Sequence, residues 1–291
     1  MRLFFVSIPH IVMQPKVALH CGDRTLTLDR PRVMGILNVT PDSFSDGGKF
    51  VIQGDALLQA EHMVSAGADI IDVGGESTRP GAAEVAEQVE LDRVIPLISA
   101  IKERFDIIVS VDTSKPAVMR EAAASGAGLI NDVRSLQEHG AESVVAQTGL
   151  PVCLMHMQGE PRTMQHSPKY EDVVSEVATY LDERRLSCIQ SGVAASQIVL
   201  DPGFGFGKNL AHNMALLREL NQLCEIAPVL IGLSRKRMFA QILNSDTADR
   251  MVASVSAALL CVQRGASIVR VHDVESTVHA LAVHRAVEVG C

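Results

Sequence analysis

Eight short apolar runs, rich in β-branched residues, recur along the 291-residue chain. They span residues 33–37, 69–73, 107–111, 128–130, 151–155, 198–200, 229–233 and 267–271. The longer stretches between them carry apolar residues at helical spacing, as in Ala56, Leu57, Ala60, Met63 and Val64. Continuously apolar strands that alternate with helices are typical of a parallel sheet covered on both faces. Eight such units predict an α/β protein with a closed (β/α)8 TIM barrel, which occupies about 250 residues as a single domain.

The segment before the first apolar run falls into two parts. Residues 17–30 alternate apolar and polar positions around a Gly-Asp turn, which predicts a β-hairpin that closes the floor of the barrel. Residues 1–16 contain an apolar patch that Pro9 and His10 interrupt, and no small-residue cleavage site follows it. We therefore expect an N-terminal extension over residues 1–16 and the barrel domain over residues 17–291.

Charge and composition narrow the class of partner. The formal net charge is −8, whereas nucleic-acid-binding domains usually show a basic face or a high pI, so we expect no nucleic-acid partner. No apolar run reaches the about 18 residues that a membrane-spanning helix needs, so we expect no membrane span. The six cysteines lack metal-binding spacing and predict reduced thiols in the cytoplasm. Small molecules are the expected partners.

Most of the apolar runs end at a polar residue. In a TIM barrel that position lies at the catalytic rim, so these residues are candidates for ligand binding. They are Asn38, Asp112, Asn131, His156, Asp201, Ser234 and His272. A carboxylate beside a carboxamide, as at Asp112 and Asn131, can recognise a heterocycle with alternating donors and acceptors. Asp112 could instead cap the following helix, and His156 could be a rim histidine whose hydrogen bonds the protein satisfies.

Three loops after the strands have a composition that suggests function. Residues 38–48 are dense in Pro, Asp, Ser and Gly, and residues 74–81 are rich in Gly, so together they suggest a lid. Arg79 beside Ser and Thr hydroxyls suits phosphate oxygens, although it could also be a solvated charge. Residues 201–208 interleave three glycines with two phenylalanines, a pattern that lets a backbone approach a flat ligand.

The loops after the last two strands carry a concentration of basic residues in an acidic protein. They contain Arg235, Lys236, Arg270 and His272. In a TIM barrel these two loops form the usual phosphate-binding pair. The pattern predicts an anion site there, although consecutive basic residues can also form a solvated face, as we expect for Arg237.

Long motifs in the chain resemble a known family. Residues 34–48 and 67–81 resemble the two signatures of bacterial dihydropteroate synthase, and residues 201–208, 234–236 and 270–272 resemble that family in the expected order. The resemblance covers roughly residues 17–288. It implies the condensation of (7,8-dihydropterin-6-yl)methyl diphosphate with 4-aminobenzoate, which gives 7,8-dihydropteroate and diphosphate in folate biosynthesis. It also implies Mg²⁺ as cofactor and a homodimer.

The resemblance implies a role for individual residues, carried over by position. The pterin-binding residues would be Asp112, Asn131, Met155, Asp201, Phe206 and Lys236. The diphosphate-binding residues would be Asn38, Thr78, Arg79, Arg270 and His272, with Asn38 also reaching the Mg²⁺. The aminobenzoate-binding residues would be Thr40, Pro41, Phe44, Phe206, Ser234 and Lys236. The catalytic residues would be Asp46, Arg79, Lys236, Arg270 and His272.

Two other functions are compatible with a pterin-binding barrel. A methyltransferase that takes a methyl group from a reduced folate would keep Asp112, Asn131 and Asp201, but it has no use for the diphosphate-binding residues. A catalytically silent homologue would have lost residues of the loops, whereas Phe44, Arg79 and their neighbours are present. Diphosphate release that requires both substrates would distinguish the synthase from both alternatives.

Overall fold

The fold is known here from a computed structural model that describes residues 17–39, 49–77, 85–159, 164 and 168–289. Its strands are β1 (Ala18–Cys21), β2 (Arg24–Thr27), β3 (Arg32–Asn38), β4 (Ile70–Gly74), β5 (Ile108–Asp112), β6 (Leu129–Asp132), β7 (Val152–Met155), β8 (Ile198–Asp201), β9 (Leu230–Ile231) and β10 (Ile268–Val271). Its helices are α1 (Lys49–Ser65), α2 (Glu87–Arg104), α3 (Pro116–Ala124), α4 (Ala141–Thr148), α5 (Val173–Gln190), α6 (Leu210–Arg218), α7 (Asn221–Cys224), α8 (Arg237–Ile242), α9 (Met251–Val262) and α10 (Val274–Val289). The expected extension over residues 1–16 lies outside the described residues.

Strands β3 to β10 form one parallel sheet that closes on itself. The order in the sheet is β8-β7-β6-β5-β4-β3-β10-β9, and a parallel bridge between Leu200 and Val229 joins its two ends. Each of these eight strands coincides with one of the apolar runs in the sequence. The predicted (β/α)8 barrel is therefore confirmed.

Side chains on the outer surface of the barrel pack against the helices. Leu37, Val73 and Val111 point outward and belong to the same apolar cluster as Ile98 of α2 and Leu181 of α5. This cluster explains why the strands read as continuous apolar runs. Both faces of each strand are covered, so the outward positions need apolar residues as much as the inward ones.

The hairpin β1-β2 closes the N-terminal end of the barrel. Its side chains Leu19, Cys21 and Leu26, with Leu28, are buried against one apolar residue from each barrel strand. Those residues are Met34, Ile70, Ile108, Leu129, Cys153, Val199, Leu230 and Ile268. The predicted position of the hairpin is confirmed. Because this floor is apolar, polar groups inside the barrel can meet solvent or a ligand only at the opposite end.

Two expectations from composition can be compared with the described residues. No helix in that part of the chain is long and apolar enough to cross a membrane. Five cysteines are free thiols there, and they are Cys21, Cys153, Cys188, Cys224 and Cys261. Burial raises the pKa of Cys21 and Cys188 to about 12, which keeps these thiols protonated and poorly reactive.

Candidate active site

Above the apolar floor, the inner face of the barrel is lined by buried polar side chains. They are Asp72, Ser110, Asp112, Asn131 and Asp201, all less than 10% exposed. The parallel register places Gly74, Asp112 and Asn131 side by side on β4, β5 and β6. Two of the rim residues that the sequence predicts, Asp112 and Asn131, therefore lie next to each other at the C-terminal ends of their strands. Asp72 was missed, because it lies inside an apolar run rather than at its end.

Arg270 joins two of these carboxylates across the barrel. Its Nε donates to Oδ2 of Asp72 at 2.6 Å, and its Nη2 donates to Oδ2 of Asp112 at 2.7 Å. Asn131 donates to the same oxygen of Asp72 at 3.1 Å. Burial disfavours the charge on Arg270, but the two carboxylates outweigh it and raise the pKa of the guanidinium. Arg270 is thus a fixed cation at the centre of the site.

The ion pair also decides between the two expected roles of Asp112. Helix α3 begins at Pro116, and the residue that precedes it, Lys115, makes no side-chain cap. The nearby backbone N–H of Lys115 is accepted by Thr113 Oγ1 at 3.2 Å. The carboxylate of Asp112 instead faces Arg270, so the capping interpretation is wrong.

The buried acids and the adjacent lysine have shifted pKa values. Burial, opposed by Arg270 and reinforced by Asp72, raises the pKa of Asp112 to about 7. Burial also raises the pKa of Asp201, although the charge of Lys236 opposes it most. For Lys236, burial lowers the pKa to about 8, with Asp201 opposing. Groups that titrate near neutral pH in a cleft are typical of functional sites.

Lys236 lies against the loop that follows β8. Its ammonium donates to the backbone oxygen of Phe204 and lies 4.3 Å from the ring centre of Phe206, which is a cation–π contact. Met155 is the register partner of Asp201 on the neighbouring strand. The structure therefore brings together Asp201, Met155, Phe206 and Lys236, four of the residues that the resemblance assigns to the pterin.

The anion-site residues after β9 and β10 divide into two groups. His272 donates its backbone N–H to Ser234 Oγ at 3.1 Å, and its Nδ1 is 3.0 Å from the same oxygen. Arg235 is exposed, has a left-handed φ of 56° and pairs with Asp273. Arg250 and Ser254 also contact its backbone. Arg235 therefore has an acidic partner within the protein, and its expected anion role stays a prediction.

A cluster of charged side chains lies at the start of the loop over residues 74–81, the second loop, and it was not predicted from the sequence. Lys115 donates to Glu76 and, at 2.5 Å, to Oε2 of the buried Glu90 in the first turn of α2. Arg93 holds the backbone oxygen of Gly75 at 2.8 Å. The cluster ties the residues just before Thr78 to α2 and to the β5-α3 connection. No sequence pattern links these residues, because they are brought together only by the order of the strands.

Several assigned residues lie outside the described part of the chain. They are Thr40, Pro41, Phe44, Asp46, Thr78 and Arg79. Their roles stay predictions. The described assigned residues belong to the barrel strands or to the loops at their C-terminal ends, as the prediction requires.

Comparisons with known proteins agree with this geometry. Residues 34–272 match the family model of pterin binding enzymes. The chain is 56% identical over 260 residues to the dihydropteroate synthase of Escherichia coli K12, which covers 89% of this chain and 92% of that protein.

Two solved structures extend the similarity to the fold. The Xanthomonas albilineans dihydropteroate synthase with 4-aminobenzoic acid has a TM-score of 0.89 and 48% identity, and the match covers 94% of this chain and 99% of that one. The same organism's enzyme in complex with 7,8-dihydropteroate has a TM-score of 0.85 and 47% identity, with 93% and 98% covered. The chain belongs to the dihydropteroate synthases, the transferases of the pterin-binding enzyme family that form dihydropteroate.

Proposed function

We propose that the polar mouth of this barrel condenses (7,8-dihydropterin-6-yl)methyl diphosphate with 4-aminobenzoate, giving 7,8-dihydropteroate and diphosphate. The observation that carries the assignment of the site is the buried arrangement of Asp72, Asp112 and Asn131 around Arg270. A buried ion pair contributes little net stability, because the cost of removing the charges from water offsets their attraction. Stability alone therefore does not explain two buried carboxylates at this depth. The relatives solved with 4-aminobenzoic acid and with 7,8-dihydropteroate support the choice of substrates.

The pterin is proposed to lie between Asp112, Asn131 and Asp201. Carboxylates accept hydrogen bonds and a carboxamide both donates and accepts, which matches the donors and acceptors along an amino-pyrimidinone edge. Met155 and the ring of Phe206 would line the faces of the pterin, and Lys236 would bind its polar edge. A deep, largely apolar pocket with a few converging polar groups is the usual form of such a site.

The reaction needs charge stabilisation more than a nucleophile from the protein. The bond between the exocyclic methylene and the diphosphate oxygen breaks, and the electron pair leaves with the diphosphate. The positive charge on the methylene spreads into the pterin, where the carboxylates of Asp201 and Asp46 would stabilise it. The lone pair of the amine nitrogen of 4-aminobenzoate then forms the new C–N bond, and the nitrogen releases one proton to solvent.

The leaving diphosphate is proposed to bind where β3, β4 and β10 end. Arg270 and His272 would act there, together with Thr78 and Arg79 of the second loop. Because Arg270 also holds Asp72 and Asp112, it would connect the diphosphate with the pterin pocket. A guanidinium fixed in this way loses little conformational entropy when it binds an anion.

Mg²⁺ fits the donor set at this edge. Among the described residues, no three His, Cys, Asp or Glu side chains group into a metal site. Mg²⁺ commonly uses only one or two protein oxygens and takes its other ligands from phosphate and water. Asn38 ends β3, and its side-chain oxygen lies against Gly74. A Cβ at position 74 would be only 3.0 Å from that oxygen, so the glycine leaves room for it. When bound, the metal would neutralise charge on the leaving group.

The aminobenzoate is proposed to bind closer to solvent. Ser234, Lys236 and Phe206 would form one side of its site, and Thr40, Pro41 and Phe44 of the first loop would form the other. Ser234 is 8% exposed and lies beside His272, so its hydroxyl would lie between the two proposed substrate positions. The site of the second substrate would thus depend on closure of the first loop.

Diphosphate release is the experiment that tests the function. We expect release by the purified chain to require the pterin diphosphate, 4-aminobenzoate and Mg²⁺ together, with dihydropteroate formed in equal amount. A methyltransferase would bind pterin and release no diphosphate. A catalytically silent homologue would likewise bind pterin without turnover, so either result would contradict the proposal.

Removing the carboxylate of Glu76 is expected to weaken binding of the diphosphate substrate. Glu76→Ala frees the stem of the second loop while the pair of Lys115 with buried Glu90 remains. We expect the KM for the pterin diphosphate to rise about tenfold, the value of one hydrogen bond to a charged group. Binding of a pterin without phosphates should be unchanged. Glu138→Ala, which breaks an exposed pair with Arg134, is the matched control, and an equal effect in both variants would contradict the prediction.

The lid prediction concerns Phe44, which lies outside the described residues. Phe44→Ala is expected to weaken the binding of 4-aminobenzoate far more than that of the pterin diphosphate, because one wall of the aminobenzoate site would be lost. Hydrogen exchange over residues 39–50 should slow only when a diphosphate-bearing ligand or the products are bound. If 4-aminobenzoate bound the empty enzyme with an affinity equal to its apparent KM, the ordered closure would be wrong.

A homodimer is proposed to form through the exposed apolar faces of α9 and α10. Val252 and Leu260 of α9 are 69% and 43% exposed, and Val283 and Val287 of α10 are 67% and 76% exposed. Large apolar side chains exposed on neighbouring helices can form an interaction site. Light scattering should give the mass of a dimer, and Val252→Glu with Val283→Glu should give a monomer.

We propose that the protein acts in the cytoplasm. The free thiols of the described cysteines are typical of proteins in a reducing compartment.

A further inference from the structure

Lys208 is a buried lysine at the end of the loop that follows β8, with only 2% of its surface exposed. Its ammonium donates to the backbone oxygens of Phe206 at 3.0 Å and Gly203 at 3.1 Å. It also lies 2.8 Å from Nδ1 of His156, just beyond β7, and 3.4 Å from the backbone oxygen of that residue. A lysine in the protein interior is rare unless it is fully paired. Here it joins two points of its own loop to the end of the neighbouring strand.

The partners of Lys208 suit a charged ammonium. The backbone oxygens can only accept, and burial lowers the pKa of His156 to about 3, so the imidazole is neutral and its Nδ1 can accept as well. Burial lowers the pKa of Lys208 well below its ordinary value, while the charge of Asp201 opposes this and that of Lys236 adds to it. His156 is therefore a rim histidine whose Nδ1 has a hydrogen-bond partner within the protein.

The loop lies so close to the β7 segment that two of its glycines are required. A Cβ on Gly203 would lie 1.9 Å from the backbone oxygen of His156, and one on Gly207 would lie 2.3 Å from that of Gln158. Both residues also have a left-handed φ. The glycines thus serve contact between two protein segments, whereas the sequence suggested approach to a ligand. Lys208 draws those segments together.

The backbone that Lys208 holds also positions three residues of the proposed pterin site. The N–H of Gly203 donates to Oδ1 of Asp201 at 2.7 Å. Phe206 offers its backbone oxygen to Lys208 and its ring to Lys236. Burial raises the pKa of Asp201, and the charge of Lys208 opposes that rise together with those of Lys236 and Arg270. No contact of Lys208 with substrate is needed for these effects.

We propose that Lys208 is a positioning residue for the condensation: its ammonium fixes the β8 loop against His156, and so sets the placement of Asp201, Phe206 and Lys236. This inference rests on the proposed assignment of those three residues to the pterin. Because a misplacement of about 1 Å can cost about 10²-fold in rate, the contribution of Lys208 should be large although it lies behind the site.

Lys208→Met tests the proposal, since it keeps the length of the side chain and removes its charge and donors. We expect kcat to fall about 10²-fold and the Kd of a phosphate-free pterin to rise at least about tenfold. The loss of pterin affinity toward low pH should also become steeper, because Asp201 would titrate together with Asp112 in a higher range. The groups that face Asp201 in this comparison are Lys208, Lys236, Arg270, Cys153 and the N–H of Gly203.

Two further variants separate charge from geometry. Asn213 accepts from the N–H of Gly205 and donates to the backbone oxygen of Lys208, so Asn213→Ala should loosen the same loop without changing the pH dependence. Lys169→Met makes the same substitution at an exposed lysine and should match the wild-type protein. Wild-type pterin affinity and pH dependence in folded Lys208→Met, with only a lower Tm, would overturn the proposal.

A measurement on the unmodified protein covers the case in which Lys208→Met does not fold. A slowly exchanging lysine ammonium signal in a ¹H–¹⁵N spectrum, assigned to Lys208 by its proximity to the ring of His156, should shift when the phosphate-free pterin binds. A signal that does not respond to bound pterin would overturn the inference. If the wild-type protein bound no pterin at all, the proposed function itself would fail, which is a distinguishable result.

Discussion

Replacing Arg270 by alanine is expected to damage both the fold and the reaction. Asp72 is fully buried, and Arg270 is its only cationic partner among the described residues. Removing one partner of a buried ion pair typically costs about 3–5 kcal/mol, because the remaining charge is left without compensation. The loss of a cation at the leaving group should lower kcat by a further factor of about 10² to 10³ in the molecules that fold.

A second substitution separates the two effects. In Arg270→Ala with Asp72→Asn, one of the two carboxylates that lose their cation is neutral, so the free energy of unfolding should recover part of its loss. Turnover should not recover, since no cation faces the diphosphate. Urea unfolding and steady-state kinetics on both variants check this. If turnover returned with stability, Arg270 would act only by neutralising Asp72, and its proposed contact with the diphosphate would be wrong.

The affinities of Arg270→Ala for two ligands, a phosphate-free pterin and the pterin diphosphate, test the role of Arg270 further. A guanidinium that held only the diphosphate would leave binding of a phosphate-free pterin unchanged. Because Nη2 of Arg270 also holds Asp112, we expect that affinity to fall too, though less than for the pterin diphosphate. Arg134→Ala, which breaks an exposed pair with Glu138, should change stability by no more than about 0.5 kcal/mol and serves as the control.

The sequence predicts the barrel well because one physical rule sets the whole pattern. Strands buried on both faces need apolar residues at consecutive positions, and each such run gave a strand. The same rule hid Asp72, which occupies an inward position within the run 69–73. From sequence it resembles a polar interruption, and only the register opposite Ser110 and the distant Arg270 shows that it belongs to the site.

Ion pairs between side chains of different loops could not be predicted from the sequence. Lys115 meets Glu76 and Glu90 across 39 and 25 residues, and this depends on strand order and barrel curvature. Arg235 is a second case of a pairing between loops that the sequence does not show. As one of three consecutive basic residues it suggested an anion site, whereas Asp273 from the next strand's loop pairs with it. Charge alone could not distinguish a ligand-binding arginine from one that stabilises a corner.

The residue types at the strand ends were informative because the architecture assigns them a place. Asp112, Asn131 and Asp201 each end or nearly end a strand, and all three are buried at the same mouth. The glycines of residues 201–208 were recognised as unusual for the wrong reason. Gly203 and Gly207 leave no room for a Cβ against the segment after β7, and a single sequence does not show which segment lies next to a loop.

Pterin affinity is expected to rise with pH through about 7, and Asp112 is the reason. Burial raises the pKa of this carboxyl to about 7, and only its ionised form can accept from the donor edge of the pterin. Below that pH the affinity should fall about tenfold per unit, since one proton must leave for the ligand to bind. Asp112→Asn should remove this step and weaken binding about 10- to 100-fold, because a buried donor would face a donor.

The same shift predicts the opposite trend for stability. The folded protein keeps a proton on Asp112 that the unfolded chain loses near its ordinary pKa of 3.8, so the free energy of unfolding should decrease as pH rises from about 4 to 7 and then level off. Asp112→Asn should flatten that decrease. Calorimetry with a phosphate-free pterin and urea unfolding, both from pH 5.5 to 8.5, measure the two trends on one sample. Affinity and stability should respond to the same proton with opposite signs. A wild-type pterin affinity that did not change across this range would contradict the prediction. It would show that Arg270 keeps Asp112 ionised throughout and that burial does not dominate the charge of this carboxyl.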